Sequence, residues 1–303
     1  MTGIRSASRH MGFLRAVTPL VLGAAMLMML ATLPDVVKKD EDSRLTFRPA
    51  AVAEDTTSYL RGLVTGEAWT YGDNWYRRDF IGPVLPRFVR SLRYLMTSAV
   101  LATLLGLLAG AWLTAARRDR LKDVVTFAGA VPDFVLALLL QLAVVAVYRA
   151  TGFRVARVAS LTNRDAAVLL PLISLTLVPA VYLARSLSAR AYVIASEDFV
   201  LVSKAMGQGR PRIWLAQILP NLTAFLRADL AKVCGMMLAN FFIVDYLYNL
   251  KGVTTMLFMF GFTHPYQYNL TMDTFIVMIV LYVIIYVGLR GLVRVIDGVA
   301  VRL

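Results

Sequence analysis

The sequence predicts an all-α integral membrane protein that crosses the bilayer about six times. Hydrophobic residues make up 58% of its 303 residues and charged residues only 17%, whereas soluble domains carry about 25% charge. The apolar residues stand in long blocks with few charges, not in the short periodic faces of a soluble core. A spanning helix needs roughly 20 such residues at about 1.5 Å each. Six stretches meet this requirement: 13–33, 92–116, 124–148, 166–184, 222–246 and 273–295.

The first stretch, 13–33, is interpreted as a retained transmembrane helix that follows a short cytoplasmic tail. The tripeptide Ala51-Val52-Ala53 resembles a signal peptidase site. However, it lies roughly 20 residues beyond the apolar run, whereas a cleavage site follows that run closely. We therefore expect residues 1–33 to comprise a tail and a first spanning helix.

The distribution of positive charge favours an orientation with both termini in the cytoplasm. The net charge is +13, but neither a recognition motif nor a soluble basic face points to nucleic acid as a partner. With the N-terminus inside, most arginines and lysines fall on the cytoplasmic side, as the positive-inside rule requires. Four arginines argue the other way because they face outward in this arrangement: Arg149, Arg154, Arg157 and Arg164.

Residues 34–86 form a polar extracytoplasmic segment in this arrangement. The segment contains five aromatic residues: Tyr59, Trp69, Tyr71, Trp75 and Tyr76. They form either an interfacial belt or the interior of a small folded cap, and the belt is the simpler explanation. The segment leads into an amphipathic stretch, 83–93, with three arginines on one helical face (Arg87, Arg90 and Arg93). We expect this stretch to lie at the membrane interface beside the second span.

The stretch between the fourth and fifth spans has the residues of a helix, a break and a second helix. The acidic pair Glu197 and Asp198 favours a helix N-terminus, and Lys204 suits the C-terminal end. Gly207 is a natural residue to end that helix, and Pro211 fits the first turn of the next one. The pattern predicts a short helix across the membrane face, followed by a sharp return into the bilayer.

This stretch resembles the cytoplasmic signature loop of ABC-importer permeases, the type I membrane subunits. Their pattern is Glu-Ala-Ala, three residues, Gly, nine residues and Ile-x-Leu-Pro. Gly207 followed by Leu219-Pro220 keeps that spacing, whereas Leu201-Val202-Ser203 and Gln217 depart from it. The branch of the family for dipeptides, oligopeptides and nickel also departs there. Its Glu-Asp-Tyr-Val and Ala-Arg-Ala-Lys-Gly are similar to residues 197–200 and 203–207 of this chain.

Further matches extend the resemblance over roughly residues 59–300. Val131-Pro132-Asp133-Phe134 is similar to the branch's Ile-Pro-Ser-Phe in the third span. Val244-Asp245 and Lys251-Gly252-Val253 are similar to its Glu-Thr-Val-Phe and Pro-Gly-Leu-Gly after the fifth span. The resemblance implies a permease core over 87–300, with a cytoplasmic coupling loop at 185–221.

The resemblance also implies partners and a role for the loop. Two permease subunits, this chain and a homologous one, enclose the pathway, and two ATPase subunits beneath them hold ATP and Mg²⁺. The short helix, about 195–206, docks on an ATPase, and an extracytoplasmic binding protein delivers the cargo. The cargo implied is short peptides, with nickel or another small solute as alternatives, in a bacterial or archaeal cytoplasmic membrane. The residues expected to couple to the ATPase are Glu197, Asp198, Phe199, Lys204, Ala205, Gly207 and Arg210.

Charged residues within the predicted spans are candidates for the pathway or a gate: Asp133, Asp229, Lys232 and Asp245. Asp229 and Lys232 stand three apart on one helical face, so mutual pairing is favoured over substrate contact. Asp245 is interpreted as a helix-end polar contact, with the amino terminus of a peptide as the alternative partner. Asp133, after Pro132, is expected to satisfy backbone groups, and Arg227 to extend towards the interface.

No catalytic residue, metal ligand or cofactor is predicted for this chain. It lacks the Gly-x-x-x-x-Gly-Lys-Ser/Thr loop that holds nucleotide phosphates, and its two histidines belong to no zinc or nucleophile motif. Its one cysteine, Cys234, falls in the fifth apolar stretch and is interpreted as a small core residue. Two other classes stay open at this point. They are a self-sufficient secondary transporter, against which the lack of an internal repeat argues, and an intramembrane enzyme.

Overall fold

The computed structural model describes residues 23, 25–34, 36–39, 45–71, 78–116, 131–161, 166–261 and 267–300. Most of them are helical, in agreement with the predicted fold class. The helices are α1 (Ala25–Pro34), α2 (Ala51–Thr65), α3 (Ile81–Ala116), α4 (Asp133–Thr151), α5 (Leu169–Ile194), α6 (Asp198–Ala205), α7 (Arg210–Ile213), α8 (Leu219–Leu247), α9 (Thr254–Gly261) and α10 (Tyr268–Ala300). Two short antiparallel hairpins pair β1 (Val37–Lys39) with β2 (Leu45–Phe47), and β3 (Thr70–Tyr71) with β4 (Arg78–Asp79).

Within the described residues, five helical stretches are long and apolar enough to span a membrane: Ile81–Thr114, Asp133–Thr151, Leu169–Ile194, Arg210–Leu247 and Tyr268–Val299. They correspond to the second to sixth predicted spans. The first predicted span, 13–33, lies largely outside the described residues, and its last part belongs to α1, a shorter apolar helix. The prediction of a helical membrane protein with multiple spans is therefore confirmed.

The stretch 83–93, expected beside the second span, belongs to the helix of that span. Its residues form the first turns of α3, which continues without a break to residue 116. An arginine can stay in this helix because its side chain finds partners in the protein. Arg90 Nη1 donates to the backbone oxygens of Leu250, at 3.0 Å, and Lys251, at 3.4 Å. A hydropathy pattern cannot register such a contact because the two partners stand about 160 residues further along the chain.

Contacts divide the described residues into two compact units. One lies within Met1–Pro86 and Met256–Met278, and the other within Arg87–Thr255 and Ile279–Leu303. Residues 256–278 belong to the first unit although they lie far from its other residues in the sequence.

The first unit has a small buried interior of its own. Tyr59 of α2 is buried there with Ala31, Ala68, Tyr268 and Met272. This position corrects the expectation for Tyr59, which is an interior residue of a folded cap rather than part of an interfacial belt. Trp69 also packs on Phe80, with ring centroids 6.4 Å apart. Trp75 and Tyr76 lie outside the described residues.

The second unit is organised around α5 and α8, whose facing side chains form its apolar interior together with residues of α3, α4 and α10. Helix α3 approaches α5 closely along two glycines. A Cβ added at Gly106 would stand 2.5 Å from Cβ of Leu183, and one added at Gly110 would stand 3.3 Å from Cβ of Leu187. Small residues four apart are what allow two membrane helices to pack backbone to backbone. This packing fixes the position of α5, which leads into the loop between α5 and α8.

Candidate functional site

The loop between α5 and α8 contains the short helix that the sequence predicts. Helix α6 runs from Asp198 to Ala205, and Glu197 precedes it in an extended conformation, with φ −70° and ψ 148°. The acidic residues therefore stand at the positive end of the helix dipole. Lys204 stands in the last turn, and its Nζ donates to the backbone oxygen of Ala195 at 3.0 Å. The helix is slightly shorter than the predicted 195–206. As predicted, its acidic residues stand at the N-terminal end and Lys204 at the C-terminal end.

Gly207 ends α6 in the left-handed region, at φ +75°. Its N–H donates to the Lys204 oxygen at 3.0 Å, and the N–H of Gln208 donates to the Ser203 oxygen at 3.2 Å. These two bonds form a Schellman motif, which satisfies the last carbonyls of the helix. A Cβ added at Gly207 would meet no atom within 4 Å. Within this chain glycine is therefore required by the backbone conformation, while the space above it is open.

The return into the membrane passes through a widened helical turn. Gly209 takes the N-cap position of α7, and Pro211 stands in its first turn. The next five residues, Trp214–Ile218, form a π-turn, in which the N–H of Leu219 reaches back to the oxygen of Trp214. Pro220 follows directly, lacks an N–H and crowds the carbonyl four residues before it. This local conflict accounts for the π-turn, which the sequence analysis did not predict although Pro220 was its signal.

Helix α6 presents apolar side chains to its surroundings. Phe199, Val202 and Met206 are 43%, 57% and 73% exposed, and spacings of three and four place them on one face. We call these three residues the apolar face of α6. The adjoining stripe of the helix, with Val200 and Ser203, is buried. A short helix held firmly on one side and apolar on the other is suited to dock into a groove of another protein.

The predicted ion pair between Asp229 and Lys232 is wrong. Asp229 is instead held by two residues of α5. Ser186 Oγ donates to Asp229 Oδ2 at 2.8 Å, and Arg190 Nη2 lies 3.6 Å from Oδ1. Lys232 Nζ lies over the ring of Tyr182, 4.3 Å from its centroid. Spacing within α8 suggested a local pair, but α5 packs against that face and supplies partners with better geometry.

Arg227 also differs from its prediction. It forms an ion pair with Asp297 of α10 rather than extending alone to the interface. The side chain of Asp297 is largely buried and that of Arg227 about half exposed. This pair joins α8 to α10 at a level close to the loop.

Asp245 lies in a closed polar cluster at the other end of α8. Its carboxylate is fully buried and accepts hydrogen bonds from the N–H of Gly252 at 2.8 Å and the N–H of Thr255 at 2.9 Å. The hydroxyls of Thr254 and Thr255 also donate to it. The structure thus places Asp245 in a helix-end polar contact that orders the loop after α8.

Asp133 stands in the first turn of α4, after Pro132 at the N-cap position. A negative charge is favoured there by the helix dipole. The candidate pathway residues therefore occupy separate places and do not form one site. Among the described residues, no cluster of histidine, cysteine and carboxylate side chains could hold a metal ion.

Two residues that hold Asp229 were missed by the sequence analysis. The sequence analysis considered neither Ser186 nor Arg190 as a partner of Asp229. The only sequence signal for Arg190 was its position within an apolar helix, close to the end of α5. Its guanidinium also lies over the Phe225 ring, 4.5 Å from the centroid.

Comparisons with known proteins agree with this architecture. The sequence profile of a family described as "Binding-protein-dependent transport system inner membrane component" matches residues 84–298. A chain from a solved structure of the MetNI methionine ABC transporter in inward-facing conformations is similar in fold, with a TM-score of 0.53. The two chains are 15% identical, and the match covers 70% of this chain and 95% of that one. The likeness at this identity concerns the fold alone. No curated protein matches the sequence.

Proposed function

Since this chain belongs to the family of binding-protein-dependent transport system inner membrane components, the permease subunits of ABC importers, we propose that it forms, with a second permease, the pathway for short peptides or a similar small solute. Two separate ATPase subunits drive transport, and an extracytoplasmic binding protein delivers the solute. The observation that carries the proposal is the apolar face of α6, which lies in the loop between two spanning helices and is exposed for a partner to cover.

The proposed orientation places α6 in the cytoplasm and residues 34–86 outside, in a bacterial or archaeal membrane. Arg210 and Arg212 of α7 support this, since basic residues concentrate on the cytoplasmic side of short loops. The exposed arginines Arg149 and Arg154 then face outward.

Docking of α6 converts ATPase motion into motion of the spanning helices. The apolar face inserts into a groove of the ATPase, and the acidic N-terminus with Lys204 orients the helix there. Ala205 has a small side chain and Gly207 has none, so that a partner surface can approach the C-terminal end of α6 closely. Arg210 is the first residue of α7 and places a positive charge beside the docking surface of α6. This chain holds no nucleotide in the proposal, because ATP and Mg²⁺ belong to the ATPases.

Peptides are favoured as cargo by the resemblance of residues 197–200 and 203–207 to the peptide and nickel branch. Nickel or another small solute is the alternative within that branch. A self-sufficient secondary transporter is not favoured, because family membership implies separate ATPases.

Reconstitution tests the proposal. The chain is purified in mild detergent with the proteins that accompany it and is placed in liposomes with ATP and a mixture of short peptides. The expected result is co-purification of an ATPase and a second permease, with peptide uptake that requires ATP. Uptake by this chain alone, without ATP or an ATPase, would falsify the proposal. Uptake of nickel but not of peptides would overturn only the choice of cargo.

A further inference from the structure

The two helices that flank the loop are joined by a charged link. Asp229 of α8 accepts a hydrogen bond from Ser186 of α5 and lies beside Arg190 one turn further along that helix. The side chains of Asp229 and Arg190 are 12% and 34% exposed. We call Ser186, Arg190 and Asp229 the α5–α8 link.

A buried charge of this kind fixes the register of two helices. If α8 slid by one turn along α5, about 5.4 Å, the carboxylate could not keep both of its partners. A carboxylate that loses a partner away from water is strongly unfavourable. Apolar side chains alone would resist such sliding less, because one leucine surface replaces another. The link therefore allows the two helices to move together and opposes motion between them.

Between the link and α6, buried residues hold the chain in the apolar interior of the second unit. Leu187, Ala191 and Ile194 of α5 are buried in the same apolar cluster as Val200 of α6. Ile213 of α7 and Leu226 of α8 belong to that cluster too. The loop is thus packed against the same two helices that the link holds in register.

We propose that Asp229 is a positioning residue that makes α5, α6 and α8 move as one lever. This inference rests on the proposed function, in which an ATPase moves α6. With the link intact, displacement of α6 moves both spanning helices. Without it, part of that displacement is lost as sliding between α5 and α8. Asp229 touches neither the solute nor the nucleotide in this role, because Ser186 and Arg190 hold its two oxygens.

The test uses the complete importer in liposomes and measures ATP hydrolysis and solute uptake in the same sample. Asp229→Asn keeps the shape of the side chain and removes its charge. We expect the uptake per ATP hydrolysed to fall by about tenfold, with hydrolysis itself within about twofold of wild type. Exchange of the two charges, in the double variant Arg190→Asp with Asp229→Arg, is expected to restore part of the lost ratio.

The control is Asp297→Asn, which removes the ion pair of Arg227 with α10. It removes a membrane carboxylate from the same region and leaves the α5–α8 link intact. We expect its ratio of uptake to hydrolysis to remain within about twofold of wild type. An equal loss of coupling in this control would overturn the specific role of Asp229.

Ser186→Ala covers the case in which Asp229→Asn does not assemble. It removes one hydrogen bond and keeps the ion pair, so a fall of about threefold in the ratio is expected. A wild-type ratio in Asp229→Asn, or in Ser186→Ala if the first variant does not assemble, overturns the inference while the proposed function stands. Solute uptake by the wild-type chain without ATP removes the proposed function itself.

Discussion

The phenolic hydroxyl of Tyr59 donates a 2.6 Å hydrogen bond to Oδ1 of Asp273, although 214 residues separate the two in the chain. Both side chains are buried, and the ring of Tyr268 packs edge-on against that of Tyr59. Burial, and then the neighbouring Asp273 carboxylate, raise the pKa of the Tyr59 hydroxyl well above its usual value. The hydroxyl therefore stays protonated and remains a donor. This bond ties α2 to the start of α10 within the first unit.

Replacement of Tyr59 by Phe tests the importance of that bond. The ring packing is kept, but the Asp273 carboxylate loses its donor in a buried place. We expect a loss of about 1–3 kcal/mol in stability, measured as a lower Tm of the detergent-purified protein. The double variant Tyr59→Phe with Asp273→Leu is the control, because replacing both partners by apolar groups recovers part of the loss. An unchanged Tm in Tyr59→Phe would show that the bond contributes nothing.

Two substitutions of Gly207 distinguish the effect of backbone strain from the effect of blocking the docking surface of α6. Gly207→Ala and Gly207→Trp both place a side chain on a residue at φ +75°. This backbone strain costs about 1 kcal/mol or more in either variant. Only the indole is large enough to obstruct a partner, because the surrounding space in this chain is open. We expect Gly207→Trp to abolish ATP-dependent uptake and Gly207→Ala to reduce it by less than about threefold.

Gly152→Trp is the matched control for this prediction. Gly152 also has a positive φ, +71°, and open space around its Cβ position, but it ends α4. Its replacement carries the same strain and should leave association with the ATPase intact. If both tryptophan variants lose the ATPase equally, strain alone explains the effect.

A charge on the apolar face of α6 should weaken the binding of the ATPase. Val202→Glu places a carboxylate in the proposed groove, where burial without a partner is unfavourable. We expect at least a tenfold loss of ATPase recovered with the chain, equivalent to about 1.4 kcal/mol. Val64→Glu is the control, because Val64 is even more exposed and lies on α2. Equal recovery of the ATPase by the two variants would speak against docking at α6.

Gly252 is expected to tolerate no side chain. A Cβ there would stand 2.6 Å from Ser91 Oγ and 2.8 Å from Asp245 Oδ2, so Gly252→Ala must displace the Ser91 side chain or the Asp245 carboxylate. We expect a loss of about 1–3 kcal/mol, seen as a lower Tm. Gly291→Ala within α10 is the control, since its Cβ would meet nothing within 4 Å and alanine favours helix by about 1 kcal/mol. A Tm for Gly252→Ala at or above wild type would contradict the closed cluster.

The features predicted correctly from the sequence are those determined by neighbouring residues. The spans follow from local runs of apolar residues, and the end of α6 follows from Gly207 and the residues around it. The partners of Asp229 and Tyr59 lie 43 and 214 residues away, and no local pattern indicates them. The early start of α3 was missed for the same reason, because Arg90 donates hydrogen bonds to carbonyls of a distant loop. Distant contacts of this kind require the fold before they can be named.

In the proposed importer, the apolar face of α6 is covered only in a chain that has bound its ATPase. A copy of the chain without its ATPase leaves Phe199, Val202 and Met206 open to the cytoplasm. Surfaces of this kind attract chaperones and proteases, which continuously remove proteins that expose them. A copy bound to its partner hides the same residues and escapes. The amount of this permease should therefore follow the supply of ATPase, so that docking sets subunit proportions as well as transport.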